Sequence, residues 1–107
     1  MKIIFGDEAL SELYETQKTN DRKYKKICKD KKLVDGYIRA VNTMYNVEST
    51  EELKLFSFLH YEKLTKDPRN SIRLVNGKVE RLLFTETDDG IEVNLIEIDS
   101  THYGNKK

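Results

Sequence analysis

The sequence predicts an α+β domain in which a short N-terminal strand and two main helices precede an antiparallel meander of three strands. Three observations lead there. Apolar residues recur at helical spacing as far as Met44, hydrophobicity alternates from Ser71 to Ile98, and turn residues cut that second stretch at Asn76-Gly77 and at Asp88-Asp89-Gly90. A chain of 107 residues has room for one hydrophobic core. The expected boundaries are a single domain over residues 1–104 and a tail over 105–107.

Ile3, Ile4 and Phe5 are β-prone and end at Gly6, which reads as the first strand. Asp7 is placed to cap a helix reaching about Gln17, with Leu10, Leu13 and Tyr14 on one stripe and Glu8 in the favourable first turn. Lys18 to Asp21 is a polar break, and the lysine-rich stretch after it has only Tyr24 and Ile27 as an apolar stripe. Leu33, Tyr37, Ala40, Val41 and Met44 then fall at helical spacing and predict a second helix over about Lys29–Tyr45, with Gly36 a flaw in its interior. Ser49-Thr50-Glu51-Glu52 matches a capping box that would start a short helix ending near Lys54.

Pro68 excludes a regular helix or inner strand from Thr65 to Asn70. Strands are expected over Ser71–Val75, Val79–Glu86 and Ile91–Ile98, with Asn76 and Gly77 both suited to positive φ. In the last strand Ile91, Val93 and Leu95 share one phase and Ile96 and Ile98 the other. Either a bulge shifts the register near Leu95 or both sheet faces are covered. Arg81 falls mid-strand on the face opposite Leu82 and Phe84. It must pair with an acid such as Glu92 or line a wet groove.

Lysines and arginines number 19, as do the acids, so the formal charge is zero and no global basic field draws in nucleic acid. The charges are unevenly placed. Residues 18–32 carry eight basic side chains against Asp21 and Asp30, whereas residues 80–99 carry seven acids against Arg81. Cys28, the sole cysteine, forms neither an intramolecular disulfide nor a cysteine-rich zinc site. The opening apolar run is too short for a signal peptide, and none approaches the ~20 residues of a membrane helix, so a cytoplasmic location is expected. Without a glycine-rich loop or an HExxH pair, dinucleotide, P-loop and zinc-hydrolase readings fall away and no cofactor is expected.

Chemistry-bearing residues collect in three places: His60-Tyr61-Glu62-Lys63, the strand arginines Arg73 and Arg81, and Asp99-Ser100-Thr101-His102-Tyr103. RNA cleavage without a metal needs a base for the 2′-hydroxyl, cations for the charge building on phosphate, and an acid for the departing 5′-oxygen. The two histidines stand just before and just after the meander. Each residue also has a plain structural reading: His60 as a helix end, Lys63 as surface, and the arginines as ion-pair partners. Composition and spacing leave an enzyme and a protein-binding module equally open.

An ordered set of segments narrows this. The opening stretch from Lys2 to Leu13, Leu59-His60-Tyr61-Glu62-Lys63-Leu64, Ser71-Ile72-Arg73-Leu74, Arg81-Leu82-Leu83-Phe84-Thr85, and Leu95-Ile96-Glu97-Ile98 with His102-Tyr103-Gly104 resemble the HigB branch of the RelE/ParE toxin superfamily. The resemblance implies an α+β toxin of a type II toxin–antitoxin pair, cutting messenger RNA in the ribosomal A site without a metal and neutralised by a cognate helix-turn-helix antitoxin. It matches His60 and Lys63 to a His-x-x-Lys segment, Arg81 to a phosphate-facing strand arginine, and Asp99, His102 and Tyr103 to a C-terminal cluster. That cluster is contiguous as Asp-Tyr-His in some members and interrupted here, and Glu80 stands where many members have an aromatic residue. On this reading Arg81 and Lys63 hold the scissile phosphate. His60 or His102 is the base, and the other histidine or Tyr103 the acid. Arg73, Lys23, Lys25, Lys26, Lys29 and Lys32 touch RNA phosphates. The alternatives are a non-catalytic ParE-like toxin acting on a protein such as gyrase, and a non-toxic interaction module.

Overall fold

The capping residues and the apolar stripe place the two principal helices where the sequence pattern puts them. In the computed structural model, which describes residues 1–64 and 68–100, Asp7 accepts a hydrogen bond from the Ala9 amide at 2.9 Å and opens α1, Glu8–Thr16. Gln17, at φ 66°, ends that helix in the left-handed region. A 3₁₀ turn at Arg22–Tyr24 leads into α2, Lys25–Cys28. Asp30 then caps the amides of Lys32 and Leu33 at the start of α3, Lys31–Asn46. A fourth helix, α4, covers Thr50–Leu53. None of these helices is long and apolar enough to cross a membrane.

The strands are β1 Lys2–Phe5, β2 Glu62–Lys63, β3 Asn70–Arg73, β4 Arg81–Glu86 and β5 Glu92–Asp99, ordered β1-β5-β4-β3-β2. Strand β1 runs parallel to β5, and the other pairings are antiparallel. Among the described residues, four α-helices and a five-stranded mixed sheet thus replace the expected short N-terminal strand, two helices and three-strand antiparallel meander. This topology departs from the RelE/ParE and HigB architecture that the resemblance implied. The physical reasons are local. Helix α2 has four residues and only Ile27 buried, too little for a periodic signal. Strand β2 has two residues, both exposed, so it shows no alternation. The β1–β5 pairing joins residues some 90 positions apart and is parallel because the intervening helices carry the chain back across the sheet.

One sheet face packs on the helices. Ile72, Leu82, Phe84, Val93 and Leu95 meet Leu10, Leu13, Leu33, Tyr37, Val41 and Met44 there, all nearly inaccessible. The buried Tyr37 hydroxyl is satisfied by donating to the Leu10 carbonyl at 2.7 Å. Gly36 is not a flaw. A Cβ there would stand 2.4 Å from the Leu74 carbonyl oxygen, so its absence lets α3 meet the chain after β3. Two turn expectations change. Ser49 makes no side-chain cap bond, and α4 is tied instead through the Thr50 amide to the Gly90 carbonyl at 2.8 Å. Gly77 takes positive φ, but Asn76 does not. The phase change in β5 is a bulge, because Leu83 faces Glu97 while Phe84 faces Leu95 and Ile96 is passed over.

Candidate functional site

Alternation along β4 sends its two terminal charges to opposite faces of the sheet, and both reach the segment entering β2. Arg81 lies with Ser71, Arg73, Leu83 and Asp99 on the face away from the helices. The register sets Arg73, Arg81 and Asp99 in one row across β3, β4 and β5. Only 8 % of Arg81 is exposed. Its Nε donates to Ser71 Oγ at 2.8 Å, its Nη2 donates to the His60 carbonyl at 2.6 Å, and Glu62 Oε1 lies 3.7 Å from Nη2. The acids beside Arg81 are therefore Glu62 and, by register, Asp99. Glu92 lies toward the other end of β5, paired with Lys2 at 3.8 Å, because register and not proximity in sequence decides the partner.

His60 follows the 3₁₀ turn Ser57–Leu59 and takes φ 47°, ψ 52°, a left-handed conformation uncommon for a residue with a Cβ. Its side chain is exposed. Arg73 is half-buried, and its Nε has no hydrogen-bond partner among the described residues. Two arginines as direct cross-strand neighbours repel unless an anion joins them, and only Arg81 has its carboxylate.

Lys63 does not join this group. It shares a face with Asn70 and its ammonium lies 3.6 Å from Glu86 Oε2. Glu86 Oε1 accepts from the Tyr61 hydroxyl at 2.9 Å and from Asn70 Nδ2 at 3.2 Å. Burial, with the neighbouring Glu86 carboxylate, pushes the Tyr61 phenol well above its ordinary value. A groove of about 320 Å³ opens beside this cluster, lined by Lys63, Pro68, Asn70, Glu86, Thr87 and Asp88. Sequence reasoning missed the cluster, although an acid on the same strand face as Leu82 and Phe84 signals a carboxylate that needs buried donors.

The basic segment sits at the arginine end of the sheet. Tyr24 is buried against β5, its hydroxyl accepting from the Ile98 amide at 3.4 Å, and Ile98 adjoins Asp99. Asp30 reaches Lys78, in the turn between β3 and β4, at 3.1 Å. Lys23 is committed to Asp7 at 2.9 Å, a contact that holds the Asp7 carboxyl below its usual value. Lys25, Lys26, Lys29 and Lys32 are exposed, and their side chains make no hydrogen bond or ion pair with any described residue.

The structure thus brings His60, Arg73, Arg81 and Asp99 to one end of the sheet on the face away from the helices, sets the lysine segment at the same end on the helical side, and places Lys63 elsewhere. His102 and Tyr103 lie outside the described residues. No three histidine, cysteine, aspartate or glutamate side chains among the described residues come together as metal ligands. Comparison with protein-family models, with curated proteins and with solved structures finds no match, so the functional reading rests on the residues themselves.

Proposed function

We propose that the chain is an endoribonuclease that cuts messenger RNA in the ribosomal A site by general acid–base chemistry and is restrained by a cognate partner protein. The observation that supports this reading best is the cationic end of the sheet. At that end an exposed histidine and a half-buried arginine, whose buried Nε has no partner among the described residues, stand on one face, and four exposed lysines stand on the helical side, in a chain of zero net charge. An anionic polymer is the ligand such an end recognises, and the lysines contact its phosphates without reading sequence.

In the proposed reaction His60 takes the proton of the 2′-hydroxyl, and the 2′-oxygen attacks the adjacent phosphorus. The bond to the 5′-oxygen breaks, leaving a 2′,3′-cyclic phosphate and a 5′-hydroxyl. Arg73 stabilises the charge that builds on the phosphoryl oxygens. The proton for the departing 5′-oxygen is assigned to His102 or Tyr103 on the sequence alone. Purified protein added to translating ribosomes should cut messenger within the A-site codon, and His60→Ala should cut far more slowly. Folded wild-type protein that produces no cuts at any dose overturns the reading.

A further inference from the structure

The resemblance casts Arg81 as a phosphate ligand. Its surroundings point to a different part in the same reaction. We infer that Arg81 is a positioning residue that, together with Ser71, locks the His60 backbone in its left-handed conformation and so aims the imidazole.

Two of the three guanidinium nitrogens are already engaged by protein. Nε is used by Ser71 Oγ at 2.8 Å, Nη2 by the His60 carbonyl at 2.6 Å, and Glu62 stands 3.7 Å from that same nitrogen. With 8 % of the residue exposed, a phosphate has little access to what remains. His60 has the complementary need. A left-handed histidine is held only where its surroundings over-determine it, and here a charge-assisted bond grips its carbonyl. The bond reaches across β3 from a strand buried in the sheet, so the scaffold's rigidity is passed to an exposed side chain. Ser71 is fully buried, and its hydroxyl sets the rotation of the guanidinium plane. A lysine ammonium cannot serve both acceptors with the same directed fork.

The catalytic half of this inference rests on the proposed ribonuclease activity, whereas the conformational half does not. The first measurement is therefore of conformation, by backbone chemical shifts and the amide-to-Hα coupling of residue 60 in the full chain. Wild type should report positive φ, and Arg81→Lys should lose it. A left-handed His60 in folded Arg81→Lys overturns the inference. Should Arg81→Lys fail to fold, Ser71→Ala removes the acceptor of Nε and should shift residue 60 in the same sense, with no shift counting against the latch.

Ribosome-dependent cleavage then separates positioning from phosphate binding. Arg81→Lys should lower kcat by about 100-fold, the scale of loss for a misplaced catalytic group, with KM within about twofold of wild type. A raised KM with kcat preserved would mean that Arg81 binds the phosphate, and overturns the inference. If wild type does not cleave, the ribonuclease reading fails while the shifts at residue 60 still decide whether the latch exists.

Discussion

The two ends of β4 solve the same problem with opposite charges. Arg81 and Glu86 are five residues apart, on opposite faces, and each takes two of its partners from one four-residue segment, His60 to Lys63. At the first end Arg81 holds the His60 carbonyl and stands near Glu62. At the second end Glu86 holds the Tyr61 hydroxyl and stands near Lys63. Alternation in the segment therefore matches alternation in the strand. The difference lies in what is left over. The arginine end leaves an exposed histidine, a half-buried second arginine and exposed lysines without side-chain partners among the described residues, whereas at the glutamate end the carboxylate is taken up by Tyr61, the buried Asn70 and Lys63. The comparison assigns chemistry to one end and anchorage to the other.

The sharpest way to break that assignment is to remove one group from each end and read cleavage. His60→Ala should reduce ribosome-dependent cutting by about 10²- to 10⁴-fold, the range for loss of a general base. Glu86→Gln, which keeps an acceptor for Tyr61 and Asn70, should stay within about tenfold of wild type, since a 10²-fold loss is the mark of a displaced catalytic group. Equal losses at the two ends would erase the distinction. Stability reverses the order. Glu86→Ala leaves the Tyr61 hydroxyl and the buried Asn70 amide without an acceptor and should cost about 1–3 kcal/mol in urea unfolding, whereas exposed His60→Ala should cost less.

A smaller effect tests the outward-facing cations. Replacing Lys25, Lys26, Lys29 and Lys32 by glutamine should weaken binding to unstructured RNA. It should also flatten the dependence of log affinity on log salt by up to about 3, near 0.7 for each single-strand phosphate contact. The fold should be unaffected, because none of the four makes an ion pair with a described residue. An unchanged slope would move the RNA-facing surface away from this segment.

What could be read from sequence follows the same division between local and non-local information. Helix α1 was legible because Asp7 sits at its start, and α3 because Leu33, Tyr37, Ala40, Val41 and Met44 keep helical spacing, whereas its Asp30 cap was not read. The phase change of β5 was legible, as either a bulge or cover on both faces, and the register decides for the bulge by skipping Ile96. Strand β2 and helix α2 were not, since elements of two and four residues are too short for either period to repeat. At the site, Arg81 stood out as an arginine inside a strand. Its partners did not, because Ser71 and Glu62 become neighbours only through a register that the turn lengths set. Glu86 was overlooked for the converse reason. An acid at a strand's end reads as solvated until a tyrosine and an asparagine are found beneath it.

The last test asks how closed the glutamate end is, and its effect is absent at neutral pH. In the folded chain Tyr61 holds its proton above the ordinary phenol value, chiefly through burial and then through the Glu86 carboxylate that accepts from it. The unfolded chain releases that proton near pH 10. Above this pH the unfolded state binds fewer protons than the native one, so stability falls as pH rises, with a limiting slope of about 1.4 kcal/mol per pH unit for one such group. The buried Tyr24 and Tyr37 are shifted in the same direction and add to the slope, so the measurement is a difference. Tyr61→Phe should remove one proton's share of the alkaline slope in urea unfolding between pH 9 and 11, leaving the slope below pH 8 unchanged. No change in the alkaline slope would mean that water reaches the phenol in the native state, and that the glutamate end is as open as the arginine end.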